Sequence, residues 1–271
     1  MRASRLWTGL SVKGKVWPSL AFFAMAIPAP AQAYFQDLFQ WSNYSVRLGA
    51  ATLIRPAYEG ASSYKLWAVP AIDIRWKKVA YLSDNNLRID LARKPWLSAG
   101  PMLTYDFGRP ETASTALRGL GNVGDALAAG GYADVVLGAV GLTLVVEHEV
   151  VGGYGGFSGH FDIGYQVYHG EALSLAVGTR VSFAGSEHMQ AFFGITPAQS
   201  ARSGLPVYTP GAGIRDIGIG LVGDYLITKH WTLGGLLGYA RVVGGAAHSP
   251  LVQDLGSANQ VIGYLRLSYL F

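Results

Sequence analysis

Apolar side chains alternate with polar or small ones in segment after segment between Tyr44 and the final residue, Phe271. In the clearest segment, 157–167, every second residue is apolar or Gly, and the residues between them are Ser158, His160, Asp162, Gly164 and Gln166. A period of two is that of a β-strand, whose successive side chains point to opposite faces. The pattern therefore predicts an all-β chain.

The composition indicates where one face of these strands lies. Half of the 271 residues are apolar, yet no run approaches the roughly 18 apolar residues that a membrane helix requires. Strands of about 9–11 residues can cross a bilayer at a tilt, with one face toward lipid. Because an unpaired backbone group in hydrocarbon is costly, such a sheet cannot keep open edges. We therefore predict a closed antiparallel transmembrane β-barrel in the bacterial outer membrane.

The alternation predicts about twelve strands, an even number, as single-chain bacterial barrels have. They cover residues 44–54, 65–76, 79–92, 96–107, 130–138, 140–150, 157–168, 172–183, 187–194, 213–227, 230–241 and 259–271. Polar residues interrupt 79–92, and 187–194 is short, so ten or fourteen strands also fit the pattern.

Strand parity predicts which links share a side of the membrane. With a periplasmic N-terminus, the periplasmic links are those near 76–78, 152–156, 185–186 and 228–230, together with the unusually long link 108–129. The outward loops are then those near 55–64, 195–212 and 242–258. Trp76, Tyr225 and Trp231 suit an aromatic girdle at the periplasmic interface.

The first 33 residues have the three parts of a secretory signal peptide. Basic residues precede an apolar stretch at 16–27, and Ala31-Gln32-Ala33 provides a small-residue cleavage site. An N-terminal membrane anchor is the alternative, but the stretch is short and contains Pro18. We therefore predict a signal peptide at 1–33 and a single barrel domain at 34–271.

The C-terminal segment carries a second signal. Leu265, Leu267, Tyr269 and Phe271 occupy alternate positions up to the terminal Phe. This resembles the signal by which the barrel assembly machinery recognises outer-membrane barrels for insertion, and it adds that machinery and outer-membrane lipid to the predicted partners. The last strand of a soluble β-sandwich is the alternative.

Charge and residue content exclude several kinds of partner. Four of the 21 basic residues and none of the 17 acidic ones lie in 1–33, so the rest of the chain carries 17 of each. A nucleic-acid partner then has no electrostatic support. There is no Cys, and no metal-ligand cluster, phosphate loop or dinucleotide fingerprint is present, so no cofactor is predicted.

Charged residues cluster at the positions predicted to face the lumen. They are Arg47, Asp73, Arg75, Arg88, Asp90, Asp134, Glu147, Glu149, His160, Asp162, Arg180, Asp224 and Arg266. Buried charges need partners, so this near-balanced set predicts an interior filled by ion pairs. A path for a polar solute is the second interpretation.

Three Ser–His pairs test a catalytic interpretation: Ser158 with His160, Ser186 with His188, and His248 with Ser249. The first two place both side chains on one face of a predicted strand, as a Ser–His hydrogen bond requires. A third orienting group and an oxyanion site must also converge on them. The first two pairs are predicted near the periplasmic end. A lipid-modifying hydrolase is therefore only the third functional hypothesis, and no catalytic residue is predicted.

Several segments, in their order along the chain, resemble the MipA/OmpV family of outer-membrane proteins. They are Gly49 with residues 55–60 (RPAYEG), 69–73 (VPAID), 120–125 (LGNVGD) with 130–133 (GGYA), 192–196 (FFGIT), 203–208 (SGLPVY), 224–225 (DY), 230–231 (HW) and 249–252 (SPLV). The segment 120–125 departs from the family pattern around Asn122.

The resemblance implies an outer-membrane location and no catalytic residues. For the member that names the family, it implies a scaffold that brings a lytic transglycosylase together with a bifunctional penicillin-binding protein, whereas other members are adhesion or antibiotic-susceptibility proteins. The leading hypothesis is therefore a non-enzymatic scaffold for murein hydrolase and synthase, acting through 34–43 and 108–129. A small-solute channel or ligand-binding barrel is the alternative.

Overall fold

The computed structural model describes residues 44–77 and 79–271, so the predicted signal peptide and residues 34–43 lie outside it. The described chain forms these strands: β1 (Tyr44–Pro56), β2 (Tyr64–Trp76), β3 (Ala80–Ser83), β4 (Asn86–Ile89), β5 (Ala92–Lys94), β6 (Leu97–Asp106), β7 (Ala126–Leu137), β8 (Val140–Gly152), β9 (Phe157–His169), β10 (Leu173–Ala184), β11 (Gly213–Leu226), β12 (Trp231–Val242) and β13 (Asn259–Leu270). None of the helices in these residues is long and apolar enough to span a membrane.

Twelve of the strands form one closed antiparallel ring. Each pairs with its neighbour along the chain, β13 pairs with β1, and β4 pairs with β6. The short β5 pairs only with the start of β6 and lies outside the ring. The predicted closed barrel of about twelve strands is therefore confirmed.

Two of the predicted strands are wrong. Residues 79–92 form the hairpin β3–β4 because the chain turns at Asp84, where φ is +51° and the side chain accepts a hydrogen bond from the Ile72 amide at 3.0 Å. Residues 187–194 belong to a helix, α1 (Ser186–Phe193). Its buried residues are spaced as on one helical face: His188, Met189, Phe192 and Phe193. Over eight residues, alternation does not separate this pattern from a strand.

These two errors cancel in the strand count but not in the placement of the links. Between residues 79–92 and 187–194, each strand therefore runs in the direction opposite to the predicted one. The link 107–125 and residues 153–156 and 185 lie at the opposite end of the barrel from the predicted end. The links after β2, β5, β7, β9 and β11 are short and define the turn end. The links after β1, β6, β8, β10 and β12 define the loop end.

The two faces of the wall differ as the alternation predicts. On β11 to β13 the outward positions are large and apolar and about half exposed, as in Ile219, Leu237 and Leu265, whereas the inward Gln260 and Ser268 are buried. The girdle residues Trp76, Tyr225 and Trp231 are exposed beside the turn end. Of the predicted insertion signal, Leu265, Leu267 and Phe271 are exposed and Tyr269 is partly exposed. A closed barrel with an apolar outer face is the architecture of outer-membrane proteins, because lipid leaves no partner for an open edge.

The loops at the loop end fold over the lumen and form what we call the loop cap. Besides α1 it contains α2 (Pro197–Ser203), α3 (Gly244–Ala247), α4 (Pro250–Gln253) and two short 3-10 turns, Glu111–Ala113 and Thr115–Leu117. Tyr58, Leu117, Ile195 and Leu251 pack in one apolar cluster. A second cluster joins Met189, Phe192 and Phe193 to Val242 of the wall and to Ala246 and Val252 of the cap.

Hydrogen bonds between different loops fix the cap. The Ser249 hydroxyl donates to the Phe193 carbonyl at 2.6 Å, and the Tyr58 hydroxyl donates to the Leu251 carbonyl at 3.0 Å. The Gln199 amide donates to the Leu120 carbonyl at 2.6 Å. These bonds join four of the loop-end links into one packed layer.

We expect Phe193→Ala to destabilise the barrel by about 3–5 kcal/mol, because a fully buried ring leaves a cavity that its neighbours fill only in part. Urea unfolding of the purified protein in neutral detergent micelles measures this loss. Phe161→Ala is the matched control: that ring is 38% exposed on the outer face, where detergent or lipid fills the space. An equal loss in both variants would contradict a packed cap.

Candidate functional site

One group of the predicted lumen residues lies near the turn end. Asp73 is 3.5 Å from Arg75 and accepts a hydrogen bond from the Tyr81 hydroxyl at 3.2 Å. Arg266 donates to Asp224 at 3.1 Å. Arg47 lies within electrostatic reach of both Asp73 and Asp224.

A second group lies on the opposite wall. Arg180 donates to both oxygens of Asp162 at 2.6 Å each, and His160 is 3.7 Å from the same carboxylate. Asp134 pairs with Arg88 at 3.6 Å and accepts from the Thr143 hydroxyl at 2.7 Å.

The remaining three predicted acids also have partners. Asp90 accepts from the Tyr132 hydroxyl and pairs with Arg93, Glu147 accepts from the Thr104 hydroxyl, and Glu149 accepts from the amides of Tyr154 and Gly155. Most acids of the described lumen are thus paired with an arginine, whereas Glu147 and Glu149 are held by hydrogen bonds from neutral groups.

The Ser–His pairs do not form catalytic sites in the described structure. Ser186 and His188 lie on a helix, where residues two apart do not face each other. The Ser249 hydroxyl donates to the Phe193 carbonyl and accepts from the Leu251 amide, so it is a helix cap. Ser158 and His160 were predicted near the periplasmic end, but they lie at the loop end, opposite the links near 76–78 and 228–230 that were predicted to be periplasmic, and no hydrogen bond joins them in the described structure. No three His, Asp or Glu side chains group as metal ligands in the described chain either.

Below the loop cap lies a charged network that the sequence did not predict. Arg215 donates to Asp216 at 2.8 Å, lies 3.5 Å from Glu59 and is 3.0 Å from the His188 ring. The other ring nitrogen of His188 bonds to the Tyr154 hydroxyl. These residues come from β11, from the link after β1, from α1 and from the link after β8, so the network joins the cap to the wall.

A shift in strand pairing places two neighbouring charges on the inside. Arg215 and Asp216 are both buried, although successive strand residues normally face opposite ways. On β10, Ser182 pairs with Asp216 but the next residue, Phe183, pairs with Ile214, so the strand register skips Arg215. In the sequence, the signal of this register shift is that Arg215 and Asp216 are adjacent charged residues, which breaks the alternation.

The buried His188 is held neutral. Its ring stacks on Phe192 with a centroid distance of 4.6 Å. Burial lowers the pKa of His188 well below its usual value of 6.5, and the neighbouring Arg215 lowers it further. A neutral ring can accept from Arg215 through one nitrogen and pair with Tyr154 through the other.

A cavity of about 280 Å³ lies beside this network at the loop end. One side is formed by Arg55 to Glu59, with Lys65 and Trp67 of β2, and the other by residues 108–110 and 112–113 with Phe192. Its lining therefore combines three cationic side chains with aromatic rings and one carboxyl group.

Arg109 is fixed at the edge of the cavity by the end of helix α1. Its guanidinium donates to the carbonyl of Phe192 at 3.1 Å and to that of Ala191 at 3.5 Å. These carbonyls belong to the last helical turn, where a cation is favoured. Burial lowers the pKa of Arg109 to about 10, which leaves it charged at neutral pH.

Glu59 is the acidic group of the cavity. It is 7% exposed, and one of its carboxylate oxygens is buried without a hydrogen-bond partner in the described structure. Burial raises the pKa of Glu59 from 4.5 to about 7, with Arg215 opposing the shift and Asp216 and Asp106 adding to it. The protonated form is therefore present at neutral pH.

This pKa predicts a dependence of stability on pH. Since the folded-state pKa exceeds the unfolded one, the folded protein binds more protons between pH 4.5 and 7, and stability falls as pH rises through that window. We expect Glu59→Gln to match the wild type at pH 5 and to exceed it at pH 8, by on the order of 3 kcal/mol. Urea unfolding at both pH values measures this. Glu171→Gln, at an exposed position in a turn-end link, is the control; an unchanged difference for Glu59→Gln between pH 5 and 8 would refute the assignment.

Comparison with solved structures finds other outer-membrane barrels at low identity. An outer membrane channel from Pseudomonas putida F1 is 11% identical, with a TM-score of 0.43 over 84% of this chain and 94% of that one. The NanC porin is 8% identical, with a TM-score of 0.41 over 83% and 98%. OprD from Pseudomonas aeruginosa is 11% identical, with a TM-score of 0.37 over 86% and 66%.

No match was found among curated proteins. The sequence profile of the family described as MltA-interacting protein MipA matches residues 48–271, which include every described strand but the first residues of β1. The predicted family resemblance is thereby confirmed, and with it the reading of the barrel as an envelope protein. The chain belongs to the MltA-interacting protein MipA family of outer-membrane β-barrels.

Proposed function

We propose that this barrel is a non-enzymatic scaffold, anchored in the outer membrane, that holds murein-remodelling enzymes at the periplasmic face. Membership of a family described as MltA-interacting is the observation that carries the proposal. The partners are a lytic transglycosylase and a penicillin-binding protein. A scaffold needs an anchored surface but no open path through the barrel, which agrees with the ion-paired lumen and the loop cap.

The charge-paired lumen and the packed loop cap support a scaffold more than a channel. Arg180 and Asp162 pair across two neighbouring strands in the lumen, and the loop cap buries Phe193 and Leu251 completely above them. A general diffusion pore instead keeps a water-filled channel. The small-solute channel remains the second candidate, because the lumen is lined by polar side chains.

The docking surface is assigned to the turn end. Outer-membrane barrels have short periplasmic turns and longer extracellular loops, so the turn end is expected to face the periplasm. The link 107–125 lies at the other end and packs into the cap, so it is not proposed as a docking surface. The short turns at the turn end, and residues 34–43, which precede β1 in the sequence and lie outside the described residues, are the remaining candidates.

We expect the purified protein to give no steady ion current in a planar lipid bilayer, because the cap closes the loop end. A variant in which residues 186–208 are replaced by a Gly-Ser linker removes α1 and α2 and serves as the opened control. Steady current through the unmodified protein at the level of that variant would favour the channel.

Deletion of residues 35–42 is expected to reduce recovery of murein enzymes at least about fivefold when the tagged protein is pulled down from solubilised envelopes. The control replaces α2 (Pro197–Ser203), which contains no buried residue, with a Gly-Ser linker of equal length at the loop end. Both variants are first checked for the folded barrel by heat-dependent migration in gels. Full recovery of murein enzymes with the deletion, together with their loss with the α2 variant, would place docking at the loop end and contradict the proposal.

A further inference from the structure

The barrel wall is not equally paired around its circumference. β2 pairs with β1 over its whole length, Tyr64–Trp76, but with β3 only over Asp73–Trp76. Across the hairpin, β4 pairs with β6 only over Asn86–Arg88. Above the hairpin, residues 64–71 of β2 have no strand partner on that side in the described chain. This part of the wall, between β2 and the top of β6, is called the side opening.

The backbone of β2 points its polar groups into the side opening. The Ile72 amide and carbonyl both bond to Asp84, so Ile72 faces the hairpin side. Residues two and four positions before it, Pro70 and Ala68, face the same way, because backbone direction alternates along a strand. Pro70 has no amide hydrogen, which is typical of an unpaired edge. The opening therefore begins about four residues above the turn end and continues toward the loop end.

The cavity lies directly behind this opening. Lys65 and Trp67, on the inward face of the same stretch of β2, line it, and the chain that follows β6 lines the opposite side at Gly108 and Arg109. On the outer face of that stretch, Leu66 is 72% exposed and would face lipid. The cavity is thus adjacent both to the lumen and to the outer leaflet.

The charges of the cavity favour an anion. Arg109 is 6% exposed and donates only to neutral main-chain carbonyls, and its Nε is buried without a partner. No ion pair involves Arg109 or Lys65 within the described chain. Arg55 adds a third cation to the lining, against the single carboxyl group of Glu59. Glu59 attracts Arg109 but is already paired with Arg215, so the lining keeps an excess of positive charge that a bound anion offsets.

We propose that the cavity binds the anionic headgroup of a single-chain or double-chain lipid, whose alkyl part enters through the side opening. The volume of about 280 Å³ is at the lower limit of sites for small organic ligands, so it fits a headgroup with the start of a chain and not a whole lipid. Trp67, Tyr58 and Phe192 contact the first methylenes, and the rest of the chain lies against the apolar outer face of β2 at Leu66. This binding is independent of the scaffold function.

Native mass spectrometry of the protein in neutral detergent at pH 8 tests the proposal. The probes are laurate, its uncharged glycerol ester, butyrate, and phosphatidylglycerol beside phosphatidylethanolamine. We expect laurate or phosphatidylglycerol to bind at least about tenfold tighter than its uncharged or zwitterionic counterpart. Laurate and phosphatidylglycerol separate a free fatty acid from a membrane phospholipid as the source of the headgroup.

Two variants locate the bound lipid, and a third is the control. Lys65→Met is expected to weaken binding at least about fivefold, and Thr112→Trp, which fills the cavity from the exposed side of the link, is expected to abolish it. In the control Lys94→Met, the substituted lysine stacks on Trp96 at 5.5 Å much as Lys65 stacks on Trp67 at 5.8 Å, but it lies at the turn end. That control should bind within twofold of the wild type.

Several outcomes would overturn the proposal. Binding that is equal for laurate and its glycerol ester would remove the charge requirement. Binding of butyrate as tightly as laurate would replace the lipid by a soluble carboxylate and leave the side opening without a role. Unchanged binding in Thr112→Trp, with the folded barrel verified by its migration in gels, would place the lipid elsewhere.

Discussion

The structure depends on one constraint: backbone amides and carbonyls cannot be left unpaired in hydrocarbon. Helices satisfy it within one segment, whereas strands satisfy it only by closing into a ring. Pairing of β13 with β1 and of β4 with β6 provides that closure. Once the ring is closed, alternation sorts the side chains: apolar residues face lipid, and charged residues face a narrow interior in which they must neutralise one another. The fold and the character of the lumen thus follow from the same requirement.

The sequence predicted the parts of the fold in which this sorting is strict. Long strands such as β9 and β10 have six or more alternating positions, and their predicted bounds agree with the structure within two residues. The hairpin β3–β4 was merged into one strand because its four-residue strands are too short to show a period of their own. Helix α1 was mistaken for a strand because its buried face meets the core of the cap and not the lipid, which no local pattern reveals. Since each error adds or removes one crossing, strand parity was reversed only between them.

The candidate site was predictable only in part, for a similar reason. Pairs such as Arg180 with Asp162 lie on adjacent strands in register, so strand assignment alone places both side chains inside. The network of Glu59, His188 and Arg215 depends on contacts between residues 27 and 156 positions apart and on a register shift in β11. Glu59 and Arg55 belong to the segment 55–60 that resembles the family, but nothing in that segment indicates that a loop closes over them. Tertiary packing of the cap decides their burial and therefore their charge.

The short hairpin connects these points. Because β3 and β4 end partway up the wall, the upper part of β2 has no strand partner on its hairpin side among the described residues, although it pairs fully with β1. Such an edge is costly in lipid, and a fold that keeps it must satisfy it by another element or by a bound molecule. The segment after β6 approaches from the other side but bonds to Val123 and not to β2, since the Arg109 amide and carbonyl both pair with that residue. Cations and aromatic rings therefore meet beside this edge, and a single amphiphilic anion offsets the charge of the cations and covers the apolar surface of the rings.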